Sequence, residues 1–332
     1  GCGYYYRNAD YAETADYADC IRVNLFFPCQ SVSLIFSSAI GYCVRHRSLF
    51  VYIFCLALFC AGCVAPARGT SDSPPSQEVV VFAAASLTEV FTGIGAAFTQ
   101  SQPQATVTFN FAGSQQLANQ LAEGAPASVF ASADQRQMDA VVASGRVDPA
   151  SVALFACNRL VVVAAGERVT ALTDLVKPGV KLVIGADAVP VGAYTQAFLA
   201  AAGADPAYGE PFRAGVLANV VSYEQSVRAV LSKVRLGEAD AGIVYATDAQ
   251  AASGTTAAST AASTAASTAA DVAVFEIPAH LNQLAHYQIA PLGDGSAPKM
   301  ARRFIDFLLS PEGEKLLTAA GFSTDCAAAT SQ

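Results

Sequence analysis

The stretch Glu78–Phe98, EVVVFAAASLTEVFTGIGAAF, decides how the chain folds. A short β-branched run, Glu78 to Phe82, gives way to the small residues Ala83-Ala-Ala-Ser86. Leu87, Val90, Phe91, Ile94 and Phe98 then recur at helical spacing, so the segment predicts a strand, a tight turn and a helix that ends before Pro103. Ser86 and Glu89 have the Ser-x-x-Glu spacing of a capping box, which predicts Ser86 as the helix N-cap.

The same unit recurs downstream. Ala105–Phe111 alternates as a strand and leads through Ala112-Gly113-Ser114 into a helix carrying Leu117 and Leu121. Val129–Ala131 is a further strand, Gln135–Ser144 a helix, and Arg159–Ala164 a hydrophobic strand. A second cycle runs from a strand at Val180–Gly185 through Val189-Pro190-Val191-Gly192 into a helix over Ala193–Ala202. It continues with Val220–Ser222, a helix bearing Val227, Val230, Leu231 and Val234, and a strand at Ala241–Tyr245 leading into another helix. Val272–Ile277 and Tyr287–Pro291 read as strands, and Ala297–Gly321 as one closing amphipathic helix. Strand–helix alternation of this kind predicts an α/β protein of two lobes, each a mostly parallel sheet flanked by helices. The chain is expected to cross between the lobes twice.

Composition narrows the function. The chain has 332 residues, 53% apolar and 14% charged, which is enough to bury the cores of two domains. A net charge of −8 with no basic run excludes nucleic acid as a partner, because phosphate-backbone affinity needs clustered Lys and Arg. Seven of nine cysteines precede residue 64, and His46, His280 and His286 are scattered, so no zinc ligand set is recognisable. Cys157 and Cys326 stand alone in the remainder, equally readable as a disulfide or as two buried thiols.

The amino-terminal part reads as export machinery. Arg45, His46 and Arg47 precede an unbroken apolar run, Leu49–Ala61, and Gly62-Cys63 closes it as a lipoprotein-type signal closes on its acylated cysteine. Residues 44–62 are thus expected to be the signal peptide, Cys63 the lipidation site and 63–77 a polar tether holding the body off a membrane. Residues 1–43 read as an extension upstream of the true start, with Val44 as the first translated position. Residues 254–270 repeat Ala, Ser and Thr and predict a flexible insertion too small in apolar volume to enter a core.

No enzymatic signature survives inspection. Ser86 and Ser114 lack a Gly-x-Ser-x-Gly elbow, Gly93-Ile-Gly95 lacks the third glycine of a dinucleotide loop, and no Walker sequence occurs. What repeats is a strand that ends in small residues and opens a helix, at Ser86, Ser114, Val191-Gly192 and Val227. Each such end exposes backbone N–H donors and partial positive charge, the elements of an anion trap.

The body from about residue 78 to 322 resembles the molybdate-binding solute receptors of bacterial ABC uptake transporters. The resemblance is carried by Val-Phe-Ala-Ala-Ala-Ser-Leu at 81–87, Phe-Ala-Gly-Ser at 111–114, Gly-Ala-Pro-Ala-Ser-Val-Phe-Ala-Ser-Ala-Asp at 124–134, Val-Pro-Val-Gly at 189–192 and Gly-Ile-Val-Tyr at 242–245. It departs at Ser128, where that family often has Asp, and at Val191, often Ala. The resemblance implies the two-lobed periplasmic-binding-protein (type II) fold, with lobe I at 78–156 plus 281–326, lobe II at 157–280, and the ligand between them. It implies a monomeric, exported, membrane-tethered receptor that binds molybdate and tungstate, delivers them to a permease, catalyses nothing and needs no cofactor. The oxyanion, not a bare metal, would be held by the Ser86 and Ser114 hydroxyls, the Val191 and Val227 amides and the Tyr245 hydroxyl. A receptor for sulfate or another tetrahedral oxyanion, or a ligand-sensing regulatory domain, are the alternatives. Asp134 and Arg136 are expected to serve a turn rather than the ligand.

Overall fold

The computed structural model describes residues 77–253 and 272–329. The expected extension 1–43, signal peptide 44–62, Cys63, most of the tether and the insertion 254–270 lie outside the described residues.

The first lobe begins with β1 (Gln77–Ala84), a 3-10 turn at Ala85–Leu87 and α1 (Thr88–Ser101). It continues with β2 (Ala105–Ala112), α2 (Ser114–Ala122), β3 (Val129–Ser132), α3 (Gln135–Ala143) and β4 (Ala153–Asn158). One residue, Arg159, separates β4 from β5 (Leu160–Ala164), which opens the second lobe. There follow β6 (Leu182–Gly185), α4 (Pro190–Ala204), α5 (Gly209–Ala218), β7 (Val220–Glu224), α6 (Val227–Arg235), β8 (Ala241–Tyr245), α7 (Ala246–Ala252) and β9 (Ala273–Glu276). The chain then returns to the first sheet as β10 (Ala285–Pro291), followed by α8 (Pro298–Leu308), α9 (Pro311–Ala319) and the short α10 (Cys326–Ala329).

Two five-stranded sheets result, ordered β2-β1-β3-β10-β4 and β7-β6-β8-β5-β9. Each is mixed rather than mostly parallel. The βα units supply the parallel pairs β1·β2, β1·β3, β6·β7 and β6·β8, while the strands at the crossings, β4, β5, β9 and β10, pair antiparallel.

The helices bury the stripes their spacing predicts: Val90, Phe91, Ile94 and Phe98 on α1, and Val227, Val230, Leu231 and Val234 on α6. Phe98 meets Phe304 of α8 edge-on with ring centroids 5.4 Å apart, and Phe91 meets the same ring at 6.2 Å. Fully burying one such side chain is worth about 1.5–3 kcal/mol, so these stripes hold helix to sheet.

Three expectations need correcting. The closing helix is two helices, because Pro311 cannot donate to the preceding turn and Ser310 caps the second, its Oγ accepting from Gly313 N at 3.4 Å. Strand β4 and helix α5 were not foreseen. Ser86 is not an N-cap: it lies inside the 3-10 turn, and α1 starts one residue beyond Leu87 without a side-chain cap.

The crossings are fastened. Asn282 accepts from Leu160 N at 3.0 Å and donates to Leu160 O at 2.8 Å, and Asn158 donates to Thr247 Oγ1 at 2.7 Å. Cys157 and Cys326 form a disulfide that ties α10 to β4, beside the paired backbones of Cys157 and Ser323. A disulfide closing a chain segment this long suits an oxidising compartment.

Candidate functional site

Brought side by side, the carboxyl ends of the strands in both sheets enclose one cavity. Ala84, Ala85, Ser86, Gly113, Ser114 and Ala133 line it from the first lobe, following β1, β2 and β3. Val189, Pro190, Val191, Ser226, Val227 and Tyr245 line it from the second, following β6, β7 and β8. All five residues expected at the site therefore border the same space. The cavity measures about 20 Å³, against the 10–15 Å³ or so that one water needs on the same measure. A compact ion fits; an amino acid or a sugar does not.

The polar groups around it are donors. Ser114 is the first residue of α2, and its Oγ accepts from Ala133 N at 3.1 Å, which leaves the hydroxyl proton for the cavity. Gln116 fastens that helix start from behind, its Oε1 accepting from Gly113 N at 3.2 Å. Ser86 lies 2.9 Å from the hydroxyl of Tyr287 on β10, with both side chains buried. That bond, not a capping box, explains where the Ser86 hydroxyl goes. Glu89, the expected box partner, instead forms a bidentate ion pair with Arg228 of α6 in the other lobe, one arm 2.8 Å long.

Val191 is the second residue of α4 and Val227 the first of α6, positions whose amides have no carbonyl partner in their own helix. Gly192 makes the first of these placements possible. A Cβ there would strike the carbonyl oxygens of Gly185 and Ala186, so only glycine lets α4 begin this close to the end of β6. Ser226 caps α6 by accepting from Ala229 N at 3.3 Å.

Tyr245 closes the ring. It is 1% exposed, its ring centroid sits 5.9 Å from that of Tyr287, and its hydroxyl has no hydrogen-bond partner among the described residues. An unsatisfied buried hydroxyl costs about 1–3 kcal/mol, so its position beside the cavity marks it as a group kept for a ligand. Burial holds the phenols of Tyr245 and Tyr287 well above the usual tyrosine range, so both remain protonated donors. No Lys, Arg, His, Asp or Glu lines the cavity among the described residues.

Around the rim the lobes are tied by bonds that leave the cavity free. Gln115 Nε2 donates to Gln225 O at 2.8 Å, and Arg136 donates to Asp187 O at 3.1 Å and Ala188 O at 3.0 Å, just ahead of α4. Asp134 caps α3, its carboxylate accepting from Gln137 N at 3.0 Å, so Asp134 and Arg136 serve a helix start and an interlobe tie. Sequence reasoning missed Tyr287 and Arg228, because their partners are 201 and 139 residues away and no local pattern announces them.

Residues 79–323 match the family of bacterial extracellular solute-binding proteins. The molybdate-binding protein ModA of Mycobacterium tuberculosis is 36% identical over 278 residues, which span 80% of this chain and 95% of that protein. ModA of Escherichia coli K12 is 30% identical over 277 residues, 81% of this chain and 97% of that one. Among solved structures, the periplasmic molybdate-binding protein of Azotobacter vinelandii has the same fold, with a TM-score of 0.60 at 20% identity over 74% of this chain and 98% of that one. The sulfate-binding protein SubI of Mycobacterium tuberculosis superposes with a TM-score of 0.64 at 19% identity, over 77% of this chain and 89% of that one. The chain belongs to the bacterial extracellular solute-binding proteins.

Proposed function

We propose that this protein captures molybdate, and tungstate with it, outside the cytoplasm and delivers it unchanged to the permease of an ATP-driven importer. The observation that carries the reading is the cavity itself: hydroxyls and helix-terminal amides from both lobes converge on about 20 Å³, and one of those hydroxyls, on Tyr245, is buried without a partner. A tetrahedral oxyanion that is fully ionised offers only acceptors, so a ring made of donors matches it. Hydrogen bonds to a charged group contribute about 1.5–3 kcal/mol each, and the starts of α2, α4 and α6 add favourable dipole ends. The protein can therefore hold a dianion despite its net charge of −8.

Ser86, Ser114 and Tyr245 act as side-chain donors in this reading, and Val191 and Val227 through their amides. Lobe I comprises 78–156 with 281–326 and lobe II 157–280. Opening about the paired crossings admits the ion and closing buries it. The receptor works as a monomer held at the membrane by a lipid on Cys63. With no charged side chain lining the cavity among the described residues, no buried ion pair has to be broken at the permease, which suits a carrier that must also release.

Calorimetric titration with molybdate, tungstate and sulfate tests the assignment. Tight, one-to-one binding of the two metal oxyanions with much weaker binding of sulfate is expected. Sulfate binding without molybdate binding would make the protein a sulfate receptor, and binding of none of the three would end the oxyanion reading.

A further inference from the structure

Three titratable side chains stand just behind the cavity, each close along the chain to a residue of the site. Glu89 follows Ser86 by three positions in the first turn of α1, Arg228 directly follows Val227 in α6, and Asp248 follows Tyr245 by three positions in the first turn of α7. Arg228 is paired with both carboxylates. Its Nη1 and Nη2 donate across the cleft to the two oxygens of Glu89, the first at 2.8 Å, and its Nε stands 2.8 Å from Asp248 Oδ1. The helix that carries it packs against both the 3-10 turn at Ala85–Leu87 and α7. None of the three side chains lines the cavity.

Helix α6 itself gives no reason for a cation there, because a positive charge in the first turn opposes the helix dipole. Burial would also lower the arginine pKa, but Asp248 and Glu89 outweigh it and hold Arg228 above the usual range. The two pairs differ in kind. Asp248 is fully buried and belongs to the same lobe as Arg228, so this pair anchors the guanidinium from beneath. Glu89 is half exposed and belongs to the other lobe, so that pair forms only where the lobes meet.

We propose that Arg228, anchored by Asp248, is a positioning residue that latches the closed receptor: by pairing with Glu89 it holds the segments bearing Ser86, Val227 and Tyr245 around one anion and slows its release. This rests on the oxyanion reading of the cavity. Arginine suits the task because its planar fork gives Glu89 two bonds while Nε faces Asp248. A lysine ammonium is a single point charge and cannot meet both carboxylates in that way. The latch acts on release and not on capture, since the open receptor that meets the ion lacks the Glu89 pair.

Stopped-flow association and release of molybdate, followed by tyrosine fluorescence, tests the latch. Glu89→Gln should speed release about three- to fivefold and leave association within about twofold. Its ligand-free melting temperature should stay within about 2 °C of the parent, because the lost pair belongs to the closed state. Added salt should quicken release from the parent but not from Glu89→Gln. Arg228→Lys should speed release at least as much, and combining the two substitutions should add nothing, since the pair is already broken. If Arg228→Lys does not fold, the salt response of Glu89→Gln carries the test. Release from Glu89→Gln within about 1.5-fold of the parent, an unchanged salt response, or effects that multiply in the double variant would overturn the inference and leave the cavity assignment standing. A parent protein that binds no molybdate would instead refute the assignment on which the inference rests.

Discussion

Replacing Tyr245 by Phe should separate the two roles a buried hydroxyl can play. The ring of Tyr245 is 1% exposed and packed on Tyr287, so Phe preserves the shape of the wall and removes one oxygen. That oxygen has no protein partner among the described residues, so its deletion breaks no bond within the chain. In the complex it would leave one oxygen of a buried dianion without a donor, a loss of about 1.5–3 kcal/mol. At about 1.4 kcal/mol per decade, the dissociation constant for molybdate should rise roughly 10- to 150-fold. The ligand-free melting temperature should stay level or rise, because an unsatisfied polar atom has left the interior. Calorimetry and thermal melts with and without molybdate read both numbers. Affinity within about twofold of the parent, or a ligand-free protein that melts several degrees lower, would refute the argument by showing that the hydroxyl serves the fold.

Other consequences concern closure and pH. A Cβ at Gly113 would clash with the Gln225 carbonyl oxygen across the cleft, so Gly113→Ala should wedge the lobes apart, weakening molybdate binding by an overpacking cost of about 1–3 kcal/mol with little change in ligand-free stability; equal affinity would show that the lobes never meet there. Glu89→Gln cuts one partner of the interlobe pair with Arg228, and because Glu89 is half exposed the effect should be at most about 1 kcal/mol, read as up to a fivefold faster release in stopped-flow and mimicked by added salt in the parent. Asp248 is fully buried, neither of its oxygens accepts a hydrogen bond among the described residues, and Arg228 Nε stands 2.8 Å away without the alignment of one. Burial above all, opposed by Arg228, raises its pKa to about 7. Between about pH 4 and pH 7 the unfolded chain releases a proton that the folded chain keeps, so stability should decline as pH rises through that window and level off above it. Urea melts from pH 4 to 8 should show this slope in the parent and a flatter one in Asp248→Asn; identical slopes would exonerate Asp248.

Much of this was legible because βα units write their own signature. The runs Val79–Phe82 and Ala241–Tyr245 are continuous apolar strands, Ala105–Phe111 alternates, and the helices starting at Thr88 and Val227 show clear periodic stripes, so the order of most elements could be read before any coordinates, while the set of five donors came from the family resemblance. Illegible parts depended on distant partners. Strand β4 was passed over because only Arg159 divides it from β5, and the strand reading began at that residue. Helix α5 contains Gly209, Pro211 and Gly215 and buries only Phe212 and Val216, too sparse a stripe to detect. The capping-box spacing at Ser86 is present but not used, because Tyr287 bonds the hydroxyl and Arg228 pairs with the carboxylate. In each case tertiary contact outweighed local pattern.

The central claim is that uncharged donors from both lobes hold the ion. A crystal structure of the molybdate complex, with the metal located by its anomalous signal, tests it most directly. The account predicts molybdenum between the lobes, its oxygens within hydrogen-bond distance of the Ser86, Ser114 and Tyr245 hydroxyls and the Val191 and Val227 amides. An ion bound elsewhere, or one contacted by a lysine or arginine side chain, would contradict it.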